Sequence, residues 1–253
     1  MIVIKLGGRV QSQPELISAL LARWNASPGS MCVVHGGGDE VSTLQRQMGR
    51  EPAFINGRRI TADEDIDLVR MVLSGSANKR LVSSLVAAGL PAVGISGEDA
   101  GVIEAKPIDL TSFGRSGTPV AVRTELIDSL LSSGFMPVIS PVARDISSVD
   151  GAALNVNGDD AAAAIASALR AELWMIADVE GVLDADRRVI SSVDEAKTSA
   201  LVSSGVVNQG MHAKLEAGFA AISKGATAVR IAGLEALTSV GVGQGTLLTA
   251  STS

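Results

Sequence analysis

Twice in about the first forty residues, a short β-branched apolar run breaks into a glycine turn and then into a helical pattern. Few architectures accommodate that alternation. Ile2, Val3 and Ile4 read as a buried strand ending at Lys5, followed by Gly7 and Gly8 and then a helix over residues 14–24. Residues 31–34 repeat the pattern, ending in His35-Gly36-Gly37-Gly38 before a helix over 39–48 with Asp39 as its cap. Strand, turn and helix in this order predict βαβ units. The fold class is therefore α/β, an open and mostly parallel central sheet sandwiched by helices. A lysine on such a strand is costly unless it sits at the strand end, where the sheet opens into a ligand crevice.

At 253 residues the chain is long enough to bury about 70–75% of its unfolded surface, as one large unit or two lobes. Apolar residues make up 46% and charged residues 19%, a globular rather than disordered balance. The net charge of −6 argues against a nucleic-acid surface. Cys32 is the only cysteine and His35 and His212 the only histidines, so neither a disulfide nor a cysteine metal cluster is expected, and the histidines read as packing residues. The longest uncharged apolar candidate, 161–177, is cut by Arg170 and Glu172, so no membrane span and a cytoplasmic location are expected.

Further strands are expected at 91–95, 136–140, 172–177, 228–231 and 246–249. Helices are expected at 63–90, broken near Ser74-Gly75, and at 124–133, 161–170, 193–203 and 211–223. Residues 97–119 read as hairpins or an irregular lid, and 205–210 as a flexible turn. A soft division near residue 170 separates 1–170 from 171–253.

Three strand ends carry glycines or acids: Lys5-Leu6-Gly7-Gly8, His35-Gly36-Gly37-Gly38 and Asp178-Val179-Glu180-Gly181. In an open sheet such ends share one edge, where backbone N–H groups and helix N-termini favour a polyanion. The chain has no G-x-x-x-x-G-K-[S/T], no helix-opening G-x-G-x-x-G and no G-x-S-x-G, so the cradle is of another design.

The segments IVIKLGG, VVHGGG, NGRRIT, SGSANK, LNVNGDDAA, ADVEGVLD and QGMHAKLEA occur in that order along the chain. Together they resemble the amino acid kinase family, and within it the branch that phosphorylates the γ-carboxylate of N-acetyl-L-glutamate in arginine synthesis. The resemblance implies an ATP-dependent phosphotransferase on a carbamate kinase-like fold. Residues 1–170 would form an acyl-amino-acid-binding and dimerisation lobe, and 171–253 the ATP lobe. It assigns Lys5 and Lys214 to the transferring phosphoryl and Asp159 to holding both lysines. Gly8, Gly37 and Gly38 would donate N–H groups to phosphoryl and substrate, and Arg59 and Asn155 would grip the substrate, with Asn157 able to replace Asn155. Asp178, Val179, Glu180, Gly181, Val182 and Leu183 would line the adenine and ribose pocket with Val206, Val207 and Asn208 nearby. Mg²⁺ would arrive on ATP, without an all-protein cage.

Two features depart from the family pattern. Asp160 stands where a glutamine is common, and is expected to face its helix N-terminus rather than crowd Asp159. Only four residues precede Lys5, which leads to the expectation of a homodimer that arginine does not regulate. Two further readings are a kinase for N-succinylglutamate or carrier-linked aminoadipate, and a nucleotide-binding sensor without catalysis. A sensor would be expected to lack Lys5, Lys214 or Asp159.

Overall fold

The computed structural model describes residues 1–55, 57–238 and 244–250, so Asn56 of the Asn56-Gly57 turn lies outside the described residues. In chain order the elements are β1 (Ile2–Leu6), α1 (Leu16–Ala26), β2 (Met31–His35), α2 (Gly38–Gln47), β3 (Ala53–Ile55), β4 (Arg58–Ile60), α3 (Ile66–Arg70) and α4 (Asn78–Ala87). Then come β5 (Ala92–Ser96), β6 (Ile103–Pro107), α5 (Leu110–Phe113), β7 (Ser116–Val122), α6 (Glu125–Ser132), β8 (Met136–Ser140), β9 (Val142–Asp145) and β10 (Ala153–Val156). The chain continues through α7 (Gly158–Ala168), β11 (Glu172–Ile176), β12 (Ser192–Val193), α8 (Glu195–Ser203), α9 (Gln209–Ser223), β13 (Ala228–Ala232) and β14 (Thr246–Leu248).

The central sheet has eight strands in the order β12-β14-β13-β11-β1-β2-β8-β5. The run from β13 to β5 is parallel throughout, and β14 pairs antiparallel to β13. A single sheet therefore crosses residue 170. The fold is the mixed α/β sandwich that the glycine-turn pattern implies.

Period-two alternation on β1 sets up the site. Ile2, Ile4 and Leu6 pack with Leu16, Leu20 and Trp24 of α1, whereas Val3 points to the opposite face, among the alanines of α7. Each fully buried Ile, Val or Leu contributes about 1.5–3 kcal/mol. Lys5 shares a face with Val3, and so its side chain is delivered toward α7. This is how the strand positions a charge.

Of the two readings of residues 97–119, the hairpin holds and the irregular lid does not, since β6 and β7 pair antiparallel. These two strands close with β9 and β10 into a small four-stranded sheet. The helix expected to break at Ser74-Gly75 instead runs on through a π-helical segment, Met71–Ala77, whose wider turns absorb the small residues. Asp39 does not cap α2: Gly37 holds the cap position, and Asp39 sits in the first turn. Helix α7 begins at Gly158 rather than at 161, because the Asn157 side chain accepts a hydrogen bond from the Asp159 N–H at 2.8 Å. Two other starts differ similarly. Asp194 caps α8 at Glu195, and Asn208 caps α9, so 205–210 runs directly into a helix. Among the described residues no helix is long and apolar enough to cross a membrane.

Candidate active site

The strand order reverses about β1, with β2 on one side and β11 on the other, and ligand crevices form at such points. The register pairs Leu6 with His35 and with Ile176, so the three glycine- or acid-bearing strand ends lie side by side. Arg9 ties the first end to the third, donating to Asp178 at 2.9 Å across an exposed gap.

Asp159, in the first turn of α7, meets two lysines. Lys5 Nζ lies 2.8 Å from Oδ1. Lys214 Nζ, from α9, lies 2.9 Å from Oδ2 and 3.2 Å from Oδ1. Lys5 and Asp159 are each 7% exposed. Burial alone would push the Asp159 carboxyl up, but the two ammonium groups outweigh it and hold the acid down at about 2. For Lys5 burial dominates, and with the nearby Lys214 charge it pulls the ammonium below the ordinary lysine value against the attraction of Asp159. Two cations thus share one anion, leaving a net positive charge in a largely dry site.

The sign of the acid dependence follows. A carboxyl depressed from 3.8 to about 2 contributes stability that is complete above about pH 4 and lost as pH falls through 2. Acid unfolding followed by circular dichroism should show this loss, and Asp159→Asn should lack it.

Beside the lysines opens a cavity of about 220 Å³. Lys5, Gly8, Gly36, Gly37, Gly38, Arg58, Arg59, Asn155 and Asp159 line it, together with Leu73, Ser116, Asn157 and the exposed ring of Phe54. The structure thus gathers Lys5, Asp159, Gly8, Gly37, Gly38, Arg59 and Asn155 around one space. A Cβ on Gly37 would come within 2.7 Å of Leu73 Cδ2, which the π-helical segment presses against the turn.

Arg59 is buried and already well held. Its guanidinium donates to Gln45 Oε1, to the Gly38 carbonyl at 2.7 Å and to Ser42 Oγ at 2.8 Å, and lies 4.7 Å from the Phe54 ring centre. Ser42 and Gln45 are polar residues on the buried face of α2. Polar residues at core positions were the one signal that could have identified them as arginine holders. Asn155 lies on β10, not at a helix entry, and donates to Thr61 Oγ1 at 2.9 Å. Asn157 is occupied as the α7 cap.

Asp160 lies in the first turn of α7, as expected, but its carboxylate turns to Arg58 on β4. No local signal announces a pair 102 residues apart.

The segment 178–183 lies outside this cavity. Asp178 and Glu180 are exposed, Val179 and Leu183 half-buried, and Gly181 and Val182 buried against Thr246, whose Oγ1 accepts from the Val182 N–H at 2.8 Å. Val206 is half-buried, Val207 joins the core, and Asn208 spends its side chain capping α9. The latter helix carries Lys214. His35 is buried and His212 lies 3.7 Å from Glu216. Among the described residues no group of three or more His, Cys, Asp or Glu side chains could hold a metal ion.

Two paired lysines, glycine turns and a buried arginine around a small cavity are suited to moving a phosphoryl group onto an anionic acceptor. Comparisons with known proteins agree. The model of the amino acid kinase family matches residues 1–233. An acetylglutamate kinase from Chloroflexus aurantiacus is 38% identical over 93% of this chain and 92% of its own. One from Methanopyrus kandleri is 38% identical over 97% of this chain and 99% of its own. Among solved structures, smu.665 from Streptococcus mutans superposes with a TM-score of 0.86 at 26% identity, covering 99% of this chain and 98% of that one. The chain belongs to the amino acid kinase family.

Proposed function

We propose that the protein transfers the γ-phosphoryl group of ATP to the γ-carboxylate of N-acetyl-L-glutamate, forming N-acetylglutamyl 5-phosphate in the second step of arginine biosynthesis. The observation that carries this reading is the Lys5–Asp159–Lys214 cluster, with Lys5 and Asp159 buried, opening onto a cavity lined by Gly37, Gly38 and Arg59. Relatives named acetylglutamate kinase, 38% identical over nearly their whole length, supply the acceptor.

The chemistry asks little beyond placement and charge. A carboxylate oxygen of the acceptor attacks the γ-phosphorus, an O–P bond forms, and the bond to ADP breaks. The acceptor is already ionised at neutral pH, with a pKa of about 4.3, so no general base is required. The phosphoryl oxygens carry the charge that must be stabilised, which falls to Lys5, Lys214 and the backbone N–H groups of Gly8, Gly37 and Gly38. Asp159 keeps two like charges within reach of one phosphoryl. Arg59 and Asn155 take the acyl amino acid. Residues 178–183 and 206–208 flank the adenine and ribose, so 1–170 serves the acceptor and 171–253 the nucleotide. The one carboxylate in the cavity floor is committed to lysines, so Mg²⁺ would ride on the phosphate oxygens and waters, where it neutralises part of their charge. Val86 on α4 and Phe135 ahead of β8 are exposed apolar residues, surface available to the homodimer we expect in the cytoplasm.

ADP release tests the reading with N-acetylglutamate, N-succinylglutamate, glutamate and aspartate as acceptors. Turnover confined to N-acetylglutamate is expected; turnover with a different acid would move the substrate. Arg59→Lys should raise KM for the acceptor about tenfold or more with a smaller change in kcat, because an ammonium cannot reproduce the planar fork. An unchanged KM would remove Arg59 from the acceptor site.

A further inference from the structure

A second hydrogen-bonded network reaches the glycine turn from behind. His35, the last residue of β2, is fully buried. Its Nδ1 lies 2.9 Å from the Gly36 carbonyl oxygen and its Nε2 3.0 Å from Asn78 Nδ2. A carbonyl only accepts, so Nδ1 carries the proton. Burial pulls the imidazole below its usual value, the ring stays neutral, and Nε2 accepts from Asn78. Asn78 is itself fixed, since its Nδ2 also donates to the Val138 carbonyl at 2.9 Å. The Gly36 carbonyl takes a second hydrogen bond, 3.0 Å long, from Gln11 Nε2. Gln11 lies in the 3-10 turn Arg9–Ser12 that follows the first glycine pair. One carbonyl between the two glycine turns is therefore clamped by donors from both sides of it.

No described peptide bond is cis, and in a trans peptide the C=O of one residue and the N–H of the next point in opposite directions. Clamping the Gly36 oxygen turns the Gly37 N–H away from Gln11 and His35. Both glycines line the cavity that Lys5 enters. A peptide between two glycines has no side chain to restrain it, so without the clamp it is free to rotate.

We propose that Gln11 and His35, the latter backed by Asn78, are positioning residues that orient the Gly36–Gly37 peptide so that its N–H donates to the transferring phosphoryl group. This rests on the kinase reading above. Because the donor acts on charge that develops during transfer, its misplacement lowers kcat more than it changes KM.

Gln11→Glu keeps the length of the side chain and offers an acceptor where the carbonyl needs a donor. It should lower kcat about 100-fold, the scale of losing one oxyanion donor, with KM for both substrates, binding of a non-hydrolysable ATP analogue and Tm near wild type. His35→Asn places an amide N–H near the lost Nδ1 and should recover much of the kcat lost in His35→Ala. Wild-type kcat in Gln11→Glu, equal losses in kcat and Tm, or no advantage of Asn over Ala at position 35 would overturn the clamp. A wild-type protein that turns over no acid would instead overturn the kinase reading.

Discussion

Replacing Lys5 by alanine is expected to abolish most turnover, lowering kcat about 10³-fold or more while the protein still binds an ATP analogue. The estimate follows from what a cation contributes when it meets the transferring phosphoryl group, about 10³–10⁵-fold in other phosphotransferases. Lys214 remains paired with Asp159 in the variant, so no charge is orphaned and the fold should persist. Steady-state kinetics with calorimetric binding of the analogue would check both halves. Activity within tenfold of wild type would remove Lys5 from the reacting group. The lowered lysine value adds a pH signature: wild-type kcat/KM should fall on the alkaline side earlier than an ordinary lysine would dictate, since the ammonium is the working form.

The other large effect is expected from Asp159→Asn. Here the anion between the buried Lys5 and the half-buried Lys214 is lost, and breaking such a group by removing one partner costs up to about 3–5 kcal/mol because the charges left behind are uncompensated. Denaturant unfolding should therefore show a substantial fall in stability, and kcat should drop at least about 100-fold as the two ammonium groups lose the anion that holds them together. The variants thus differ in kind: Lys5→Ala is chiefly a loss of chemistry, and Asp159→Asn a loss of chemistry and stability together. A variant at position 159 with native stability would mean that the cluster is less dry than its geometry indicates.

These expectations depend on a sheet whose central strands were legible from the residues alone. β1, β2, β8, β11 and β13 are short, largely apolar runs that end near glycines, acids or small residues, so their parallel arrangement could be inferred from the residues alone. The small closed sheet was not legible. β6, β7, β9 and β10 carry Gly117, Pro119, Lys106 and Arg144, and although β6 pairs with β7 and β9 with β10 locally, closure rests on the β10–β7 and β6–β9 pairings between segments distant in the chain. Helix starts failed for a related reason. The alanine run 161–164 drew the start of α7 too late, whereas the capping Asn157 and the acids of the first turn set it earlier.

The site divides along the same line. Lys5 was identifiable as a charge on a buried strand, and the glycine turns as an anion cradle, from physical arguments. Asp159 and Lys214 came from the family resemblance, and the structure brings all three together. The Arg58–Asp160 pair, the Gln45 and Ser42 supports of Arg59 and the Gln11 bond to Gly36 join elements that the sequence keeps apart, and only three-dimensional packing reveals them.

The central claim is that this cluster moves a phosphoryl group onto the γ-carboxylate of N-acetyl-L-glutamate. The most direct measurement traps the acyl phosphate with hydroxylamine and counts the hydroxamate formed per ATP consumed. Stoichiometric N-acetylglutamyl hydroxamate from the wild type, with almost none from Lys214→Ala, is the predicted result. ATP consumption without hydroxamate, or equal hydroxamate from wild type and Lys214→Ala, would contradict it.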